Sequence, residues 1–506
     1  MYPAFVRWRS LLILWLLAGA YLTWWVGQNP LPDGFQNEYL LVGNAMDLWG
    51  ALTQGDVWHM RWYMYTGYWP WGLYAVPWPV MAILGPTRMA LVLGNMVHLG
   101  VLLVAVNQLG RAFGGRLAPV LVLLCPGIFG TLVRFEPNLA AVAWTAAGLA
   151  ALVDSNGLER RRSVWFFGAV LGLGLMMDRL TVAFFLLPAL IPLLFGISRR
   201  GLIHLAQGLG ITVLFTAAYY REFFLRHSHE ILSQASTGEI DSTGALTEVP
   251  ALLEWAYYPL TLIDSQAGLI MGAVFLTGLI GHWNRSRAVL VASIIGGVGF
   301  FTLVSKNQVF YTLPILAPLA AMAAARHRLA WLGIAGGIGS FLAVGIGVVP
   351  GGPWLPGSWV SPRHTLARPP LNLDVDLSPA MNALAKPDGS APDHVAVFSQ
   401  DRRLFEGYLL LTVRETWPST PARGVVMDPH GTFEMFNEID AFLWVSSREG
   451  PWPTAAEIEA EMRSNHVDPS TMPPAPRVVE SQAEAFEERG RWPAGEDRYV
   501  AVYRRR

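Results

Sequence analysis

Long apolar runs recur along the first 350 residues of this 506-residue chain, and they constrain its fold more than any other feature. A transmembrane α-helix needs roughly 20 mostly apolar residues, and the first such run covers residues 11–26. The composition agrees, with 53% hydrophobic residues, 14% charged residues and a mean hydropathy of +0.36. Soluble domains carry about 25% charged residues. The sequence therefore predicts a mostly α-helical, polytopic membrane protein.

Further candidate spans follow the first run along the chain. They lie near residues 87–107, 117–133, 138–153, 164–177, 180–196, 202–219, 257–280, 288–304, 309–325 and 329–349. With the first run included, the sequence predicts about 11 to 13 spans, although some runs are shorter than the ~17–25 residues that a span usually requires.

Charge is distributed unevenly among the loops that join these runs. Arginines occupy alternate loops, at positions 111, 116, 160–162, 199, 200, 285, 287, 326 and 328, and two more precede the first run at positions 7 and 9. The other side receives Asp33, Glu38, Asp56, Glu136, Asp178, Lys306 and the loop at 220–256. Positive residues favour the cytoplasmic side, and no small-residue cleavage site follows the first run. We therefore predict a multi-pass inner (plasma) membrane protein with a cytoplasmic N-terminus.

The composition changes after Val349, where a proline- and glycine-rich stretch begins. Beyond it the chain is polar and contains strand-like runs at residues 394–399 and 441–446. We predict a transmembrane domain at 1–350, a linker at 351–370 and a soluble α/β domain at 371–506, a normal domain size. An odd number of spans places this last domain on the extracytoplasmic side.

Several classes of function are disfavoured. A formal net charge of -1 argues against a nucleic-acid partner. Cys125 is the single cysteine and cannot form an intramolecular disulfide. The sequence contains no P-loop, no CxxC pair and no dinucleotide-binding glycine motif in a βαβ context. We assign no cofactor and expect the lipid bilayer to be a partner.

The loop after the first span is the most informative polar segment, and residues 32–39 read PDGFQNEY. Carboxylates so close to a membrane span are costly unless they face water or a partner. A lipid-linked substrate would present its head group at this position. Alternatively, Glu38 anchors a short interfacial helix at 38–53, and Asp33 belongs to a Pro-Asp-Gly turn.

Four features of the chain occur in an order known from one family. They are this acidic loop, an aromatic and proline-rich segment at 63–79 followed by Arg88 and a span ending GRAFG at 110–114, a glycine-rich span at 168–180 ending in MMDRL, and KNQVFYTLP at 306–314. In these features the sequence resembles the GT-C class of membrane glycosyltransferases, in particular the family 39-like group of protein O-mannosyltransferases and lipid A aminoarabinose transferase. The resemblance covers residues 1–350.

The resemblance implies a GT-C-like fold and transfer of a sugar from a polyprenyl-phosphate donor to a glycan, lipid or protein acceptor outside the cytoplasm. It implies no metal. The family loop carries an Asp-Glu pair, where this chain has Asn37-Glu38 with Asp33 four residues upstream of Asn37. Because a positioned carboxylate can take the proton that an attacking hydroxyl or amine loses, Asp33 and Glu38 are the candidate catalytic residues.

Positive charge is needed to stabilise a phosphate leaving group, and three residues are candidates for the donor phosphate site. Lys306 offers a compact charge and Arg179 can bind two oxygens, while Tyr311 accompanies Lys306 in the family-like motif. Snorkelling to the interface is the alternative for both cations, with Asp178 as a possible partner of Arg179. An interfacial aromatic belt is the alternative for Tyr311.

Two further groups of polar residues lie in the predicted outer loops. Arg134 and Glu136 form either a pair that supports the catalytic base from behind or an ordinary salt bridge at a loop end. His227 and His229, followed by Glu230, have the spacing of a metal pair. A polar helix explains this second group better, and we assign no metal.

Two other functions remain open from the sequence. One is a lipid or sugar transporter or flippase, although a transporter should carry ionisable groups in mid-span within matched halves. The ionisable groups of this chain cluster instead at one end of the predicted spans. The other is a non-catalytic glycan-binding or assembly protein of the same fold, which the presence of Asn37 favours.

Overall fold

The computed structural model describes residues 3–29, 38–66, 69–194, 196–237, 251–303, 310–348, 366–370, 377–392, 395–399, 412–413, 416, 422–424, 441–446, 486–493 and 499–506. The chain forms two compact units. The first comprises Met1–Gly27, Gly55–Gly85 and Met89–Pro370, and the second comprises Gln28–Gln54, Pro86–Arg88 and Leu371–Arg506. The domain limits predicted from the sequence stay a prediction.

Helices dominate the described part of the chain. The α-helices are α1 Pro3–Gln28, α2 Glu38–Gln54, α3 Val57–Thr66, α4 Gly72–Ala75, α5 Trp78–Leu84, α6 Arg88–Leu93, α7 Asn95–Ala112, α8 Ala118–Leu123, α9 Pro126–Leu132, α10 Pro137–Asp154, α11 Arg161–Met177, α12 Ile191–Leu194, α13 Arg199–Thr237, α14 Ala251–Thr261, α15 Leu269–Gly278, α16 Arg285–Leu303, α17 Leu316–Ala323, α18 His327–Ser340 and α19 Ser378–Leu384. Short 3₁₀ turns occupy Arg179–Phe184, Pro188–Leu190 and Leu313–Ile315, and π-helical turns occupy Leu262–Gln266 and Phe341–Ile346.

Six helical segments among the described residues are long and apolar enough to cross a membrane. They are Trp8–Gln28, Arg88–Ala112, Pro137–Asp154, Arg199–Arg226, Arg285–Leu303 and His327–Ile346. Several other predicted runs fold as shorter pieces. The run at 117–133 divides into α8 and α9 where Pro126 opens a new helix, and the run at 257–280 divides at the π-helical turn and Gly268.

Glycine allows helices α11 and α13 to pack closely. A Cβ atom on Gly168 of α11 would collide with the backbone of Gly208 in α13. The Thr212 hydroxyl donates to the Gly168 carbonyl oxygen at 2.8 Å. Small residues at such crossings let helix backbones approach and gain packing energy without a hydrophobic driving force from lipid.

Two arginines complete the C-terminal end of α15. Arg287 Nη1 donates to the carbonyl oxygen of Gly278 at 2.9 Å, and Arg326 Nη2 donates to that of Ile280 at 2.7 Å. The last carbonyls of a helix have no partner within the helix, and positive charge there is favourable. The sequence assigns both arginines to the cytoplasmic side, and this orientation stays a prediction.

Residues 366–370, at the end of the predicted linker, pack into the first unit. Leu366 and Ala367 are buried, and Trp25 Nε1 of α1 donates to the Arg368 carbonyl oxygen at 3.0 Å. Gly130 of α9 lies directly against the Leu366 backbone, where a side chain would not fit. This end of the segment is therefore part of a packed core.

The second unit contains a five-stranded sheet in the order β2-β1-β3-β5-β4. Its strands are β1 Val395–Ser399, β2 Ala422–Gly424, β3 Ala441–Ser446, β4 Phe486–Pro493 and β5 Tyr499–Arg505. Strand β1 pairs in parallel with β2 and β3, while β5 pairs antiparallel with β3 and β4. Arg504 of β5 donates to the Ala385 carbonyl oxygen after α19 at 2.7 Å. The predicted α/β character of this C-terminal region is confirmed.

Candidate active site

Glu38 forms a buried ion pair with Arg88 in the second unit. Arg88 Nη2 lies 3.1 Å from Oε1 and 3.5 Å from Oε2 of Glu38, and Arg88 Nε lies 3.3 Å from Oε1. Arg88 Nη1 also donates to the Asn29 carbonyl oxygen at 2.7 Å. Glu38 and Arg88 are the first residues of α2 and α6, respectively. Each helix start therefore anchors one half of the pair.

This pair holds the predicted base in a defined position. Charge-assisted hydrogen bonds are short and strong, and removing one partner of a buried ion pair leaves an uncompensated charge. The arrangement fixes the orientation of the Glu38 carboxylate, and it also suits the alternative of an anchor for the helix at 38–53. Asp33, Asn37 and Lys306 lie outside the described residues, so the roles of Asp33 and Lys306 stay predictions.

Arg134 and Glu136 lie between α9 and α10 and are each 1% exposed. Glu136 Oε2 accepts a hydrogen bond from Asn138 Nδ2 at 2.7 Å. Asn95 Nδ2 of α7 donates to the carbonyl oxygens of Leu132 and Arg134, at 3.0 and 2.6 Å. These residues belong to the polar interior of the first unit. Both interpretations of Arg134 and Glu136, as a pair that supports the base from behind and as an ordinary salt bridge at a loop end, stay predictions.

Arg179 begins the 3₁₀ turn that follows α11, and its guanidinium lies against two aromatic rings. Its Cζ atom is 5.6 Å from the ring centroid of Trp69 and 5.1 Å from that of Phe223. Cations over aromatic faces are attracted by the ring quadrupole. Trp69 and Phe223 therefore help to fix the orientation of Arg179, which is half-buried.

Asp178 precedes Arg179 and is buried outside the six candidate spans. Its Oδ1 atom accepts the backbone N–H of Leu180 at 2.9 Å. Burial raises the pKa of Asp178 to about 6, an effect that the Leu180 N–H and the Arg179 charge oppose. The Asp178 carboxylate thus caps the turn that carries Arg179.

Tyr311 is half-buried and belongs to an aromatic stack. Its ring lies 5.0 Å from that of Phe301 at an interplanar angle of 21°, and the Phe310 ring packs edge-on at 4.7 Å. The next residue, Thr312, accepts a hydrogen bond from Gln266 Nε2 at 2.7 Å through its hydroxyl oxygen. The segment that follows Lys306 is therefore tied to the π-helical turn. The phosphate-binding role of Tyr311 stays a prediction.

The acid of that turn, Asp264, is not among the site residues predicted from the sequence. Asp264 lies inside the predicted apolar run at 257–280 and is 3% exposed. The available signals were a carboxylate within an apolar run, which is functional by default, and the flanking Pro259 and Gly268. The sequence points to Arg88 only as part of the family pattern, and the pairing of Arg88 with Glu38 has no local sequence signal.

No group of three or more histidine, cysteine, aspartate or glutamate side chains within the described residues is arranged to hold a metal ion. The side chains of His227, His229 and Glu230 lie outside this part of the structure.

The fold is similar to that of solved membrane proteins. This chain matches the crystal structure of ArnT from Cupriavidus metallidurans in the apo state, with a TM-score of 0.56 and 13% sequence identity. The match covers 98% of this chain and 98% of the ArnT chain. It also matches ArnT from the same organism bound to undecaprenyl phosphate, with a TM-score of 0.52 and 14% identity, covering 98% of this chain and 97% of that one. The predicted GT-C-like fold is thereby confirmed.

No known protein-family profile matches the sequence, and no curated protein is similar to it.

Proposed function

We propose that this protein is a membrane glycosyltransferase that moves a sugar from a polyprenyl-phosphate donor to an extracytoplasmic glycan, lipid or protein. The observation that carries the proposal is the similarity in fold, over nearly the full length of both chains, to ArnT bound to undecaprenyl phosphate. Because one fold can host several functions, the proposal also draws on the candidate residues.

In the proposed reaction, an acceptor oxygen or nitrogen attacks the anomeric carbon of the donor. The bond from that carbon to the phosphate oxygen breaks, polyprenyl phosphate departs with the bonding electrons, and the configuration inverts. Glu38 or Asp33 takes the proton that the acceptor loses. The contact with Arg88 fixes the Glu38 carboxylate in one orientation, and an acceptor would have to free one carboxylate oxygen from this contact before Glu38 could take its proton.

The departing phosphate needs positive charge as its bond breaks, and preorganised charges stabilise such a transition state. Lys306 and Arg179 supply it in this proposal, and Tyr311 adds a hydroxyl donor. The aromatic faces beside Arg179 support its assignment, because they restrict a flexible side chain to a defined plane.

Two observations favour a non-catalytic protein of the same fold. Glu38 is fully buried and ion-paired, and its neighbour Asn37 replaces an acid of the family pattern. A protein of this kind would bind the lipid-linked sugar without cleaving it.

The test is to reconstitute the purified full-length protein in liposomes with polyprenyl-phosphate mannose, glucose or arabinose and extracted envelope acceptors. Mass spectrometry then follows the donor, the released polyprenyl phosphate and the acceptor. A glycosyltransferase releases polyprenyl phosphate in proportion to modified acceptor. Movement of intact donor across the bilayer would identify a flippase. Binding without release would identify an assembly protein.

A further inference from the structure

The π-helical turn Leu262–Gln266 interrupts an otherwise apolar helical stretch. The Ala267 N–H donates to the Leu262 carbonyl oxygen at 2.9 Å, which is the wider hydrogen-bond spacing of a π-helix. Pro259 precedes the turn within α14, and Gly268 follows it with a positive φ of 78°. Single π-turns inside α-helices are uncommon and occur frequently at functional sites.

The turn places an acid in the interior of the first unit. Asp264 is 3% exposed and Gln266 is fully buried. The Tyr257 hydroxyl, about two helical turns earlier in α14, is close enough to interact electrostatically with the Asp264 carboxylate. The sequence predicts a span at 257–280, and a buried carboxylate within such a span is costly to maintain and marks a substrate or ion path.

One contact connects this turn with the segment that carries Tyr311, and a second connects the preceding helix α14 with the same segment. The first is the hydrogen bond from Gln266 to Thr312. The second runs through aromatic rings, since Tyr258 lies 6.4 Å from Phe301 and Phe301 stacks on Tyr311. The turn that carries Asp264 is therefore bonded to the segment to which the donor phosphate is assigned.

The chemistry of a carboxylate decides which part of the donor it can serve. A carboxylate repels a phosphate, so Asp264 is unsuited to the head-group charge. It accepts hydrogen bonds from hydroxyl groups and can take two at once from neighbouring hydroxyls. The part of a polyprenyl-phosphate sugar that offers such donors is the sugar ring.

We infer that Asp264 is a sugar-binding residue that accepts hydrogen bonds from hydroxyl groups of the donor sugar and thereby selects which lipid-linked sugar is bound. This inference rests on the proposed function. Gln266 acts as a positioning residue, because its bond to Thr312 holds the π-helical turn beside the donor phosphate segment.

The test compares two kinds of ligand on the purified full-length protein. One is undecaprenyl phosphate, and the other is the same lipid carrying mannose, glucose or arabinose. Asp264→Asn should weaken binding of the preferred sugar-bearing lipid by roughly tenfold or more, as expected for a lost charge-assisted hydrogen bond. Its affinity for undecaprenyl phosphate should stay within about twofold of the wild type.

Ser265→Ala is the matched control on the same turn. The Ser265 hydroxyl bonds internally to the Thr261 carbonyl oxygen at 3.2 Å, so both affinities should be unchanged. Asp264→Glu retains the charge and covers the case in which Asp264→Asn does not fold. It should alter the order of preference among the three sugars without altering affinity for the bare lipid.

The outcomes separate the inference from the proposed function. Equal weakening of both ligands in the Asp264 variants would show a structural role and overturn the inference. A wild type that binds undecaprenyl phosphate but gains nothing from any of the three sugars would also overturn it. A wild type that binds neither ligand would overturn the proposed function itself.

Discussion

Arg88 donates to both carboxylate oxygens of Glu38, across 50 positions of sequence, and their side chains are 3% and 0% exposed. The pair joins the first residue of one helix to the first residue of another. A positioned base and a structural anchor would both use this geometry. Variants of the two residues distinguish these roles because they affect turnover and stability differently.

The contribution of the buried Glu38–Arg88 pair to the stability of the protein can be compared with the contribution of an exposed ion pair. Arg88→Met should destabilise the protein by ~3–5 kcal/mol, because it strands the buried Glu38 charge. Arg489→Gln removes an exposed pair with Glu487, whose side chains are 44% and 52% exposed, and should cost less than about 1 kcal/mol. Thermal unfolding of the full chain in detergent measures both. Equal effects would mean that the buried pair contributes no special stability.

The base assignment predicts a loss of turnover in folded protein. Glu38→Gln or Asp33→Asn should lower turnover by about 10²–10⁴-fold, the usual contribution of a general base. Initial rates of polyprenyl phosphate release give the measurement, with Asp154→Asn as the control because that acid is partly exposed beside Arg160. If both single variants keep full activity, neither residue is the base.

Lys306 is expected to bind the donor phosphate. Lys306→Met should lower affinity for a polyprenyl-phosphate analogue by roughly one to two decades, since hydrogen bonds to charged groups contribute about 1.5–3 kcal/mol. Lys306→Arg should be only partly tolerated, because guanidinium is larger and planar. If Lys306→Arg keeps full affinity and Lys306→Met lowers only the yield of folded protein, Lys306 snorkels to the interface instead.

The orientation in the membrane is open to a direct test. The arginine distribution predicts that the region after residue 350 is extracytoplasmic. Alkaline phosphatase fused after residue 350 should be active, and a fluorescent protein fused at the same position should be dark. The reverse pattern would overturn both the topology and the proposed access of an extracytoplasmic acceptor.

The C-terminal sheet should lose stability in acid through Glu488. Its carboxylate accepts from Arg491 Nε and Nη2 at 2.6 and 2.9 Å and from the Tyr503 hydroxyl at 3.0 Å. The Arg491 hydrogen bond holds the pKa of Glu488 below its usual value. The stabilisation is therefore complete above the unfolded-state pKa and is lost as pH falls through the folded-state pKa.

Thermal unfolding between about pH 3 and pH 7, across the usual glutamate pKa of about 4.3, measures this effect. Glu488→Gln should flatten the acid limb of the melting profile. The more exposed Glu487→Gln serves as its control. An unchanged profile in Glu488→Gln would remove Glu488 as a source of the acid sensitivity.

Local properties of the chain were enough to predict the broad fold. The length of an apolar run and its lack of charge are properties of neighbouring residues, and they indicate membrane helices wherever the run is long enough. The change of composition after Val349 likewise predicted a separate α/β region. The order of four weak motifs predicted the GT-C-like fold that the similarity to ArnT confirms.

The contacts of the candidate site were harder to predict from the sequence than the fold. Glu38 stands out because an acid next to a span is unusual, but its partner Arg88 is 50 positions away and has no periodic relation to it. Asp264 was counted as part of an apolar run, because hydropathy averaged over a window of residues conceals a single carboxylate. Arg134 and Glu136 looked like loop residues, because burial between packed helices has no local signature.

By itself, the sequence determined that this is a polytopic helical membrane protein with a polar C-terminal region and an acid just beyond its first span. The reason is that solvation by lipid or water acts on each short stretch separately. Only the tertiary structure decided that Glu38 meets Arg88, that Arg179 lies against Trp69 and Phe223, and that the turn carrying Asp264 is bonded to Thr312. Such contacts depend on how distant segments pack, and the hydropathy pattern along the chain does not contain that geometry.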